Sequence, residues 1–146
     1  MNDWADNMVG RIRQRRQNQQ VKDAKFIEQQ RIKRAKGEPL WREVLQNVKE
    51  NCEALNKKLN ERVVVFEDCP DFEIRVHGQL EGVDRALLAQ FDTENGSLAW
   101  RCGDKHEELE VSVKEDGSAG FVWGMGIPTT PASIAHQMLT ALLGFQ

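Results

Sequence analysis

The chain has 146 residues, 40% apolar and 29% charged, with a formal net charge of −3. That length fits one domain with room for an extension, and no apolar run approaches the ~18–20 residues of a membrane span. The three cysteines, Cys52, Cys69 and Cys102, form no CxxC motif, which argues against paired structural disulfides.

Charge is divided unevenly along the chain. Residues 1–36 hold 10 Lys/Arg against 4 Asp/Glu, a balance of +6. Residues 37–146 hold 10 against 19, a balance of −9, and the two halves return the net −3. A basic segment on an acidic body lets the two attract one another or recruit different partners. Asn2, Asp3 and Asp6 stand where an apolar leader would begin, so a cytoplasmic protein is the expectation.

Residues 3–36 read as a helix. Trp4, Met8 and Ile12 recur every fourth residue with Val9 beside them, a short apolar stripe. Arg13 to Gln20 contains nothing apolar, and Val21, Ala24, Phe26, Ile27 and Ile32 then give a ragged second stripe. Gly37-Glu38-Pro39 predicts a break, because Gly suits the end of one helix and Pro the first turn of the next. A second helix over 40–61 follows. Trp41, Leu45, Val48, Cys52, Leu55 and Leu59 fall at spacings of four and three, with Val44 alongside. At about 1.5 Å per residue this stripe runs nearly 30 Å. It serves either as a lid on a sheet or as a coiled-coil seam.

Residues 63–124 alternate in twos. Phe72, Ile74 and Val76 oppose Glu73, Arg75 and His77. Leu98, Trp100 and Cys102 oppose Ala99 and Arg101, and Leu109, Val111 and Val113 oppose Glu108, Glu110 and Ser112. One dry and one wet face is the mark of an antiparallel sheet. Asn95-Gly96 and Asp116-Gly117 mark tight turns. The strands fall at 63–67, 72–77, 85–92, 97–102, 108–114 and 119–124. Val63-Val64-Val65-Phe66 does not alternate, which fits a strand covered on both sides. Gly124 to Pro128 reads as a flexible connection. Thr130 then caps a last helix over 131–143, with Pro131 at its first position and Gly144 at its end. The fold class is α+β: an antiparallel meander of about five to six strands covered by helices, with an N-terminal basic helical extension. The expected division is an extension over 1–36 and one α+β domain over 37–146.

The sequence offers no catalytic constellation. It has no GxSxG, no GxGxxG, no Walker A pattern and no Tyr. Cys102, Asp104, His106 and Glu107 are close in sequence, but one Cys and one His are too few for zinc. Cys102 reads as a small buried residue and His106 as an exposed turn residue. His136 reads as a helix-surface residue. Trp100, Trp123, Met125 and Met138 either pack the core or line an apolar pocket between sheet and last helix. No cofactor and no metal are expected. The functional candidates are therefore the cations Arg11, Arg13, Arg15, Arg16, Lys22, Lys25, Arg31, Lys33, Arg34 and Lys36. A protein partner or a second copy is the expected occupant. Nucleic acid is the alternative, weakened by the acidic body and by Phe26 being the one aromatic among the cations. An anionic membrane surface, met through Trp4, Met8, Val9 and Ile12, is a further reading.

Overall fold

A computed structural model describes residues 2–145. Its longest element is a single helix, α1, over Asp3–Leu59. Seven strands follow among the described residues: β1 (Val64–Phe66), β2 (Glu73–Leu80), β3 (Val83–Asp92), β4 (Ser97–Cys102), β5 (Lys105–Val113), β6 (Ala119–Val122) and β7 (Pro128–Thr129). The last helix, α2, spans Pro131–Leu142. The strands lie in sequence order, each antiparallel to the next, as one curled meander. The expected α+β class and antiparallel sheet stand, with one strand more than expected.

The break expected at Gly37-Glu38-Pro39 does not occur, and residues 3–36 and 40–59 form one rod. Gly37 is there for close approach. A Cβ on it would sit 3.0 Å from Phe91 Cζ, and the next turn lays Trp41 flat on Phe91 with ring centroids 5.6 Å apart. Pro39 removes the N–H that would bond to Ala35, but both residues are exposed, which leaves that carbonyl open to solvent. Arg42 donates to Glu38 at 2.7 Å across the same turn. Packing and pairing on either side of the proline therefore carry the helix through it. At about 1.5 Å per residue the 57-residue rod is about 85 Å long.

The helix stops where Asn60 enters the left-handed region at φ 50°, two residues before the expected end. Asn56 then fastens α1 to the sheet edge. Its Nδ2 donates to the Val64 carbonyl at 2.7 Å, and its Oδ1 accepts from the Val63 and Val64 N–H groups. This explains the run that does not alternate, since Val63 and Val64 are both buried.

The dry face is as the alternation predicts for β2, β4 and β5, and the structure adds the inner side of β3, where apolar residues on both sides left the facing open. Ile74, Val76, Leu87, Ala89, Phe91, Leu98, Trp100, Cys102, Leu109, Val111 and Phe121 point inward and are buried. Gly37, Trp41, Val44, Val48 and Cys52 of α1 cover one part of it. Ile134, Ala135, Met138 and Leu142 of α2 cover the rest. The expected seam is shifted slightly: Val44 is buried, while Leu45 is half-buried and Leu59 is exposed.

Three connections differ from the sequence reading. A two-residue turn at Glu81-Gly82, both at positive φ, lengthens β2 and β3 into one hairpin. Gly103-Asp104 makes another two-residue turn, with only Gly103 of the pair at positive φ, so β5 begins at Lys105. The connection after β6 holds a single 3-10 turn at Gly124–Gly126 and the short strand β7. Thr130 caps α2 as expected, accepting from the Ser133 N–H at 3.1 Å.

Candidate interaction surface

The first half of α1 leaves the body. From Asn2 to Gln29 every residue is exposed except Ala5 and Met8, which are half-buried. Body packing begins near Lys33, whose Cβ would lie 3.7 Å from a Cβ on Gly96. A free arm of about 40 Å results. Little within it is self-stabilising. Gln14 donates to Asn18 at 3.1 Å, Gln19 donates to Asp23 at 3.0 Å, and Arg31 pairs with Glu28 at 2.6 Å. The Arg31 hydrogen bond holds the Glu28 carboxyl below its ordinary range, but both groups are exposed and the pair adds little to stability.

The arm presents large apolar side chains to water. Trp4 is 70% exposed, Phe26 62% and Ile27 67%, with Val9, Ile12 and Val21 also exposed. At about 100° per residue, Trp4, Ala5, Met8, Val9 and Ile12 project to the side of α1 that further along buries Trp41, Val44 and Val48. The stripe that meets the sheet in the body thus reappears on the arm, with none of its side chains buried among the described residues.

The ten candidate cations do not form one patch. Arg11, Arg15, Lys22, Lys25, Lys33 and Lys36 point to one side on the same spacing. Arg16 and Arg34 point to a second, and Arg13 and Arg31 roughly oppose the first. Eight of the ten, from Arg11 to Lys25 with Arg34 and Lys36, are exposed and enter none of the ion pairs among the described residues. Lys33 is half-buried and Arg31 is paired.

The outer face of the sheet carries a surface that the sequence reading did not single out. A groove of about 500 Å³ is lined by Ala99, Glu108, Glu110, Val122, Trp123 and Met125. Register builds it: Ala99 sits opposite Glu108, and Glu110 opposite Val122. The turn after β6 places Met125, wholly exposed, at its rim. Its signal in the sequence was the pair of carboxylates on the wet side of β5, which also reads as ordinary solvated surface.

The residues weighed for a ligand pocket separate. Trp100 and Met138 are core. Trp123, half-buried and packed against that core, and the exposed Met125 border the outer groove. A different open cleft of about 520 Å³ lies between α2 and the start of β5, with Trp100, Lys105, Glu107, His136 and Thr140 among its lining. The Trp100 Nε1–H is buried without a partner among the described residues.

The thiols are packed. Burial first, and then Glu53, push the Cys52 thiol up to about 11, and burial raises Cys102. A thiol held protonated is a poor nucleophile and a poor metal ligand. Cys69, half-buried, donates to the Glu73 carbonyl at 3.0 Å. No group of three or more metal-binding side chains forms among the described residues. No helix among them is long and apolar enough to cross a membrane. Comparison with protein-family models, curated proteins and solved structures finds no match to this chain.

Proposed function

We propose that this chain is a non-enzymatic interaction module of the cytoplasm. Its helix-covered sheet is a rigid platform, and its basic helical arm docks on a protein partner. One observation carries the reading: a helix arm of about 40 Å that buries no side chain among the described residues while exposing Trp4, Val21, Phe26 and Ile27. Isolated helices are marginal in water, and most helices are held by burial of an apolar face. An arm with few internal pairs and several exposed large apolar groups is held by something outside its own chain. Three free cysteines suit a reducing compartment.

Full-length protein and a Trp4→Ser, Phe26→Ser, Ile27→Ser variant serve as paired baits for chemical cross-linking, with circular dichroism as a fold control. The expected outcome is that the variant loses cross-links that the parent makes, to its own copies or to another protein. An unchanged set of cross-links overturns the proposal. Labelled generic DNA and RNA test the alternative that Arg11, Arg15, Lys22 and Lys25 favour by sharing one side. Tight binding that falls steeply with salt, and is lost on replacing Arg11, Arg13, Arg15 and Arg16 by Gln, moves the partner from protein to nucleic acid.

A further inference from the structure

Resting on that reading, we infer that the arm's partner is a second copy of this chain, and that it docks in the outer-face groove of β4, β5 and β6. Charge favours it: residues 1–36 carry +6 and residues 37–146 carry −9. The groove repeats that complementarity locally, with Glu108 and Glu110 set among Ala99, Val122, Trp123 and Met125. The start of the arm has the matching composition, with Arg11 and Arg15 beside the stripe of Trp4, Met8 and Ile12. The spacings agree. Arg11 and Arg15 are one turn apart, about 6 Å along the helix. Glu108 and Glu110 lie on one face of a strand, about 6.5–7 Å apart. Two cations and two carboxylates then meet pairwise while Trp4 and Met8 cover the apolar floor.

The contact forms between copies. α1 is one unbroken helix from Asp3 to Leu59, and its second half is fixed under the opposite face of the sheet. The arm lies away from its own body along its whole exposed length. Each copy therefore offers one arm and one groove that its own arm does not occupy. Reciprocal exchange between two copies fills both and closes the assembly as a two-fold dimer.

The test is sedimentation velocity on the full-length protein over a concentration series, at low and high salt. The parent is expected to be a dimer whose dissociation constant rises with salt. Arg11→Glu with Arg15→Glu weakens it by about tenfold or more, as does Glu108→Lys with Glu110→Lys. Combining the two reversed sets in one chain restores association. These four side chains are exposed, so the body keeps its thermal unfolding transition, and circular dichroism loses at most the arm's share of helix as the dimer dissociates. A dimer indifferent to both reversals, or one that the combination does not restore, overturns the groove as the docking site. A monomer at every concentration overturns self-association. In that case, arm-dependent cross-links to another protein leave the interaction reading standing, and their absence removes that reading too.

Discussion

Asp92 closes the β3–β4 connection with one carboxylate. Its Oδ1 accepts from the Glu94 and Asn95 N–H groups at 3.0 and 3.2 Å, and its Oδ2 accepts from Asn95 Nδ2 at 2.8 Å. The loop needs this brace because Gly96 is buried at φ 63°, and a Cβ there would sit 3.4 Å from Val111 Cβ. The backbone N–H of Asn95 first, then its side chain, holds the Asp92 carboxyl below its ordinary range. A depressed folded value fixes the sign of the pH dependence. The stabilisation is present above the ordinary carboxylate pKa of about 4, and is lost as pH falls through the lower folded value. Asp92→Asn keeps an acceptor oxygen and loses the charge. It is therefore expected to lower Tm at neutral pH by an amount that shrinks towards zero in acid. Thermal melts of both proteins across that range check it. A gap that stays constant down to full protonation assigns the effect to shape and not to ionisation.

At the scale of elements, period-two alternation settled the facing of β2, β4 and β5, whereas β3 stayed open because apolar Leu87, Ala89 and Phe91 oppose apolar Ala86 and Leu88. Ile74, Val76, Leu98, Trp100, Cys102, Leu109 and Val111 are all inside, as the alternation requires. The caps of α2 were equally plain, because Thr130-Pro131 and Gly144 act locally. Local signals failed where a distant contact reversed them. Gly37 and Pro39 read as punctuation, yet Phe91, more than fifty residues later, supplies the surface that keeps the helix intact. Glu81-Gly82 went unseen because Glu seldom takes positive φ, and β7 because two residues carry no period. The cations were legible from composition. The groove was not, because it exists only once β4, β5 and β6 lie in register. The proline gives this scale its prediction. Pro39→Ala restores an N–H to pair with Ala35 and removes the ring from the helix interior. It is expected to stabilise the protein by about 1–3 kcal/mol. Denaturant unfolding reads this as a higher midpoint with little change in slope. A lower midpoint means that the proline ring is itself a needed contact at that turn.

Over the whole molecule, stability is divided into two parts with different dependences. The body unfolds as a unit around one core shared by α1, α2 and the sheet. The arm contributes no buried side chain between Asn2 and Gln29, so in dilute solution its helix opens at little free-energy cost. A partner changes this by mass action, since whatever binds the helical arm also stabilises it. If the partner is a second copy, protein concentration is the ligand concentration. Amides of residues 5–29 are then expected to exchange rapidly in dilute protein and slowly in concentrated protein. Amides of residues 44–52, under the sheet, stay protected throughout. Hydrogen exchange followed by mass spectrometry at two concentrations separates these cases peptide by peptide. Protection of the arm that rises with concentration and falls with salt ties its folding to association with its own kind. Rapid exchange of the arm at every concentration leaves that helix without a copy of itself to hold it.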